Sequence, residues 1–147
     1  MEPSLGQDFI SGGAVKDSVE SRAVEFVTRY FIGKGYNIEN VARVRGSHAG
    51  YDLLATNGPE RLRLEVKGCT RPYGIPDPYI SEFDKNTRRL VADILCVVYM
   101  LPDCEPELAL IPRDAIPPEY VVMKYGYRIS GKFKNERTIR KFIVSAK

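Results

Sequence analysis

The stretch Arg61 to Lys67 alternates strictly between charged and apolar residues, and this period of two constrains the fold more than any other feature. Successive side chains of a strand point to opposite faces, so Leu62, Leu64 and Val66 are directed to a core while Arg61, Arg63, Glu65 and Lys67 share the other face. Just upstream, Tyr51 to Ala55 is apolar apart from Asp52, and Asn57 with Gly58 are turn residues that tolerate positive φ. The pattern predicts a β-hairpin closing at Asn57 and Gly58. Such a hairpin brings the start of its first strand beside the end of its second, so Asp52 is expected near Glu65 and Lys67.

Two carboxylates and an ammonium at one place suit a hard divalent cation. Mg²⁺ accepts one or two carboxylates, a backbone carbonyl such as that of Val66, and several waters. It polarises a phosphoryl oxygen and lowers the pKa of a bound water, and Lys67 would orient that water or offset developing charge. The same four charged side chains are also what a solvated sheet face with weak cross-strand ion pairs looks like. On these residues alone the solvated face is the better-supported interpretation, because an acid followed by Glu-x-Lys recurs by chance.

The phrase Gly50, Tyr51, Asp52, Leu53 followed by Glu65, Val66, Lys67, Gly68 resembles the PD-(D/E)XK nuclease superfamily, the restriction-endonuclease-like fold. It is most similar to the branch that includes the C-terminal domain of the plant NO VEIN protein, and more distantly to archaeal Holliday-junction resolvases. Asp52 matches the first acid, Glu65 the second and Lys67 the lysine, while Tyr51 stands where the superfamily name has proline. The likeness runs from Ser18 to Ile111 in the order helix, strand, hairpin, helix, strand. It implies a metal-dependent endonuclease acting on phosphodiester bonds in DNA, with Mg²⁺ (Mn²⁺ able to substitute) held by Asp52, Glu65 and Val66. It also implies a further acid on the first helix.

That helix is expected from Asp17 or Ser18 to Ile32, with Val19, Ala23, Phe26, Val27, Tyr30 and Phe31 on one stripe and Gly33 and Gly35 ending it. Its acids are Glu20 and Glu25. At 100° per residue Glu20 borders the apolar stripe and Glu25 points nearly opposite, so geometry selects Glu20 as the catalytic candidate, whereas the offset from Gly35 fits Glu25. A solvated acid near the helix N-terminus is the alternative for either.

Tyr36 to Val44 is expected as the first strand. It leads through Arg43, Arg45 and the sole histidine, His48, into Asp52. These three are candidate phosphate contacts, the guanidinium fork matching phosphate oxygens. After Lys67, prolines at 72, 76 and 78 impose a loop carrying Arg71. Ser81 with Asp84 reads as the cap of a helix to Leu90, which holds Lys85. Ala92 to Leu101 reads as a buried central strand and Glu107 to Ile111 as another. Glu119 to Ile129 is extended. Gly131 to Lys141 carries Lys132 and Lys134, candidate nucleic-acid contacts.

The expectation is thus an α/β fold: a mixed central β-sheet of about four to five strands flanked by helices, the first helix on one face and Ser81 to Leu90 on the other. A flexible arm covers residues 1–14, and a single domain covers 15–147. No apolar run is of spanning length and no secretory pattern opens the chain, which predicts a cytoplasmic protein without a membrane partner. The three cysteines have neither disulfide nor zinc spacing. Net charge is +3, yet residues 113–147 carry nine Lys and Arg against three Asp and Glu. A basic final third suits DNA, or RNA, as partner. So small a domain is expected to act as a homodimer or within a larger DNA-processing complex. The rival expectations are a catalytically silent nucleic-acid-binding module of the same fold and an RNA-directed nuclease.

Overall fold

The computed structural model describes residues 12–42, 50–75, 84, 87, 89–117, 119, 121–123, 127–130 and 132–144. Helix α1 spans Gly12–Gly33. Five strands of the main sheet follow in β1 (Asn37–Asn40), β2 (Leu53–Asn57), β3 (Glu60–Cys69), β4 (Ile94–Tyr99) and β5 (Glu107–Pro112). A two-stranded hairpin, β6 (Val121–Met123) and β7 (Tyr127–Ile129), precedes the short helix α2 (Glu136–Ile139), a 3₁₀ turn over Arg140–Phe142 and β8 (Ile143–Val144). The main sheet has six strands in the order β1-β2-β3-β4-β5-β8, one more than the upper expectation. It is mixed: β3 and β4 are parallel and every other pair is antiparallel.

The end of α1 follows from its residues. Gly35 takes φ 97°. The Gly35 N–H donates to the Ile32 carbonyl and the Tyr36 N–H to the Phe31 carbonyl, both at 3.0 Å, the Schellman pair that a left-handed glycine makes possible. The Phe31 and Tyr36 rings meet edge-on at 5.3 Å and seal the turn. At its other end the helix begins at Gly12, so residues 12–14 belong to α1 rather than to an arm. Propagation adds one hydrogen bond per residue to a helix already anchored by its buried stripe.

The hairpin closes one residue later than expected. Asn57 pairs with Glu60, and the connection is Gly58-Pro59 with Gly58 at φ 60°, the glycine-first arrangement of a type II′ turn, in which proline's fixed φ suits the second position. This moves the pairing by two residues and leaves the faces unchanged. Leu53 is now opposite Leu64, so the register extended by one residue sets Asp52 opposite Glu65.

The sheet separates two cores. On one face Ala23, Val27 and Phe31 of α1 pack over Leu53, Ala55, Leu64, Val66, Cys96, Val98 and Leu108. On the other, Ile129, Phe133 and Ile139 from the C-terminal third join Ile75 and Leu90 over Cys69, Leu95, Val97, Tyr99, Ala109 and Ile111. Strand β4 is therefore buried on both faces, which accounts for its unbroken apolar run. The second face is flanked by α2, and the expected helix from Ser81 to Leu90 is not present at the described residues of that stretch, the rest of which lies outside the described residues. Of that stretch Asp84, Thr87, Arg89 and Leu90 are described, and none is helical. The Asp84 N–H donates forward to the Arg89 carbonyl at 2.8 Å and the Asp84 carboxylate accepts from the Thr87 N–H, whereas a helix directs each N–H back four residues. Strand β1 stops at Asn40, earlier than Val44, and Val41 and Ala42 turn helically. Among the described residues no helix is long and apolar enough to cross a membrane.

Candidate functional site

Strand β3 outlasts its neighbour β2. Beyond Leu64, alternate N–H groups on that side of β3 have no strand to donate to, and two carboxylates take the place of the missing carbonyls. Asp52 Oδ2 accepts from the Val66 N–H at 2.8 Å, and Glu20 Oε1 accepts from the Gly68 N–H at 3.1 Å. An acid accepting a backbone N–H is held in one orientation by a bond stronger than a neutral one. The sheet's own geometry thus places the first-helix acid and the hairpin acid along one edge.

Asp52 is fixed through its backbone as well. Its N–H donates to the Leu64 carbonyl at 2.8 Å, and its carbonyl accepts from the N–H groups of Val41 and Ala42 at 2.9 and 3.1 Å. Gly50 just before it is buried at φ 83°, a conformation that a side chain would strain. Glu20 reaches β3 because Gly68 lets α1 come close: a Cβ there would lie 2.7 Å from Val19 Cγ1 and 3.0 Å from the Val19 carbonyl oxygen.

Glu65 and Lys67 flank Val66 and form an ion pair, Lys67 Nζ to Glu65 Oε2 at 3.4 Å. They are not on a solvated face. Glu65 is 2% and Lys67 6% exposed, because the face they share also carries Cys69, Leu95 and Val97 and is covered by the second core. The charges of Glu65 and Asp52 are both felt at Cys96 on the adjacent strand. Burial pushes that thiol well up, and Glu65 and then Asp52 push it further. It stays protonated.

A cleft of about 650 Å³ opens between α1 and the ends of β1 and β2, lined by Glu20, Ser21, Val24, Glu25, Asn40 and Asp52. Glu20 and Asp52 both line it, and Glu65 is the cross-strand neighbour of Asp52 by the register of β2 and β3 extended by one residue but does not line the cleft. Glu25 also lines it, but is exposed and paired with Arg29 at 3.2 Å, so of the two helix acids only Glu20 is tied to the motif strand. Asn40 and Ser21 were not singled out by sequence. Asn40 pairs with Leu53, and only knowledge of which strand neighbours β2 would have brought it to Asp52.

The remaining candidates are dispersed. Arg71 is exposed in the loop beyond β3, its carbonyl accepting from Cys69 Sγ at 3.2 Å. Lys132 is exposed and Lys134 partly so, both in the C-terminal segment and neither lining the cleft. Arg43, Arg45, His48 and Lys85 lie outside the described residues. Arg63 is engaged elsewhere. It grips Asp93 through Nη2 at 3.1 Å, Nε at 3.2 Å and its N–H at 2.8 Å, and Arg113 Nη2 approaches the same carboxylate at 3.5 Å.

The cleft lining offers the carboxylates of Glu20, Glu25 and Asp52 beside the Ser21 hydroxyl and the Asn40 amide, an oxygen-rich set that suits a hard cation such as Mg²⁺. Among the described residues no three of His, Cys, Asp and Glu are grouped to hold a metal by themselves. Mg²⁺ needs only one or two carboxylates and keeps its waters, so Asp52 with Glu65 or Glu20 is chemically sufficient. In comparison with known proteins, the chain matches no family model and no curated protein sequence.

Proposed function

We propose that the protein is a metal-dependent phosphodiesterase acting on nucleic acid, DNA in the first instance, with Asp52, Glu65 and Lys67 at its centre. The observation that carries this is the hydrogen bond from the Val66 N–H to Asp52 Oδ2 at 2.8 Å. It fixes an acid 14 positions away in sequence on the peptide between Glu65 and Lys67. The order of α1, β1, the β2–β3 hairpin and β4 follows the PD-(D/E)XK resemblance except for the helix it implies between the hairpin and β4, where the described residues Asp84, Thr87, Arg89 and Leu90 are not helical.

In this function Asp52 and Glu65 would hold Mg²⁺ or Mn²⁺, with the Val66 carbonyl and Glu20 as candidate further oxygen donors. The cation supplies Lewis-acid polarisation of the phosphoryl group and a more acidic water. Lys67, held by Glu65, keeps a positive charge where negative charge grows on the phosphoryl oxygens. Asp52 is oriented by Val66 before substrate arrives, so little reorganisation is needed at the reacting centre. A buried ion pair gains little stability over apolar residues of the same shape. Keeping one beside a carboxylate-lined cleft is the pattern of a working site.

The test is cleavage of labelled single-stranded, duplex, flap and four-way-junction DNA, and of RNA, with Mg²⁺ or Mn²⁺ and with chelator, for wild type and Glu65→Ala. Metal-dependent cutting by wild type alone is the expected result, and the preferred substrate identifies the class. The near-complete burial of Glu65 and Lys67 favours a second reading, a nucleic-acid-binding module of the same architecture without catalysis. Binding to the same panel with no cleavage under either metal would select it.

A further inference from the structure

The C-terminal third places its charge on one side. In the segment from Lys132 to Phe142, Phe133 and Ile139 are buried in the second core, while Arg137, Arg140 and Lys141 are exposed. Positions 137, 140 and 141 are three and four apart on a helical turn, so they share a face. Asn135 starts that turn by accepting from the Thr138 N–H at 3.0 Å, as an N-cap does. The acid of the turn, Glu136, is engaged with Arg140 at 2.8 Å, which leaves a net positive surface.

The turn is also tied to the strand that carries the motif. The Arg140 guanidinium lies over the Tyr73 ring, 5.3 Å from its centroid, and Tyr73, at φ 58°, follows the end of β3 by four residues. The Tyr73 ring packs against Tyr99 at the end of β4, centroids 5.9 Å apart. Strand β8, directly after the turn, pairs with Leu108 and Ala109 near the start of β5. The basic turn therefore sits at the end of the sheet where β3 finishes, beyond β5 and on the face opposite α1, whereas the cleft lies beside α1, β1 and β2. Four strand spacings, roughly 19 Å, separate β2 from β8. That is about six nucleotides of a duplex strand.

We propose that Arg137, Arg140 and Lys141, with Tyr73 as their platform, form a phosphate-backbone contact surface. It holds nucleic acid that passes round the end of the sheet, about six nucleotides from the cleft. The proposal deepens the nuclease reading, since the surface holds the substrate that the cleft would cut, but its test does not need cleavage. The partner is a phosphodiester backbone, because clustered guanidinium and ammonium groups match phosphate oxygens and carry no base code.

The experiment is equilibrium binding of labelled 20-nucleotide single-stranded DNA, duplex DNA and RNA in chelator across a salt series. It compares wild type, Arg137→Gln/Lys141→Gln, and Lys34→Gln. Lys34 is exposed at the far end of α1 and controls for net charge. Arg137 and Lys141 are exposed, so the double variant is expected to keep the wild-type melting temperature. Its affinity should fall roughly tenfold or more. Its log–log salt slope should decrease by about 2, one for each cation removed, with Lys34→Gln unchanged. The nucleic acid that shows this loss identifies which backbone the surface takes. An unchanged slope, or an equal loss in Lys34→Gln, would overturn the surface while leaving the nuclease reading intact. Binding lost in the double variant of a protein that never cleaves would uphold the surface and reject the nuclease. A wild type that binds none of the probes would reject both.

Discussion

The two ends of β3 handle charge in opposite ways. At its beginning, Arg63, Asp93 and Arg113 form a half-exposed network in which Asp93 meets two guanidinium groups and a backbone N–H. The Asp93 N–H returns to the Arg63 carbonyl, and the Arg113 N–H to the Asp93 carbonyl, at 2.8 and 2.9 Å. Every bond joins one strand to the next, so the network is a clamp across β3, β4 and β5. At the other end the acids outnumber the bases. Asp52 and Glu20 sit on N–H groups that a strand would have occupied, and one buried lysine stands beside Glu65. In the clamp two guanidinium groups close on one carboxylate, whereas at the other end the carboxylates of Glu20 and Asp52 face a cleft. The second end borders the cleft through Glu20 and Asp52, and none of the clamp residues lines it.

The comparison breaks most sharply at Lys67. Lys67→Ala leaves the Glu65 charge buried without its ammonium and should cost about 3–5 kcal/mol in urea unfolding, whereas Glu65→Leu/Lys67→Met should be neutral or stabilising by about 1–4 kcal/mol while abolishing cleavage. A double variant as unstable as the single one would mean that the pair holds the fold together. Gly68→Ala comes next. The added Cβ meets the Val19 backbone oxygen at 3.0 Å and Val19 Cγ1 at 2.7 Å, so α1 must back away at a cost of about 1–3 kcal/mol. Because Glu20 reaches Gly68 through that close approach, the metal-dependent cleavage proposed above should fall along with the melting temperature.

The smallest effect is expected at the clamp. Burial alone would raise the Asp93 carboxyl, but the hydrogen bonds from Arg63 and the charges of Arg63 and Arg113 outweigh it and hold the group below its usual range. A depressed carboxylate stabilises the fold above its unfolded pKa of about 3.9 and loses that contribution as pH falls through its lower folded value. Asp93→Asn should therefore destabilise by about 1–2 kcal/mol at pH 7, discounted for the partial exposure of both partners. The gap from wild type should narrow below about pH 4. Denaturant melts at pH 7 and pH 3 measure it, and the cleavage proposed above should be little altered at pH 7.

Local chemistry made much of this molecule legible. The alternation of Arg61 to Lys67 specified β3 and its faces, the glycines after Ile32 ended α1, and the apolar run at Ile94–Tyr99 required a strand buried on both sides. Each of these depends on neighbours within a few residues. The position of the turn was missed by one residue because Asn57-Gly58 and Gly58-Pro59 both satisfy turn chemistry, and the decision lay with the cross-strand pairing of Leu53 with Leu64. The helix expected from Ser81 to Leu90 is missing at its described residues for a similar reason: Asp84 caps a turn as readily as a helix, and its own N–H is drawn to Arg89.

The amino-acid sequence by itself determined which residues carry the charge and which strand bears Glu65 and Lys67. Tertiary structure alone decided that this charged pair is buried, because only the packing of Ile75, Leu90 and the C-terminal third covers a face that alternation assigned to solvent. It also decided that Glu20 and not Glu25 meets the motif, since the close approach at Gly68 sets where α1 lies. And it brought Asn40 to Asp52, because strand order is a long-range property that no local spacing encodes.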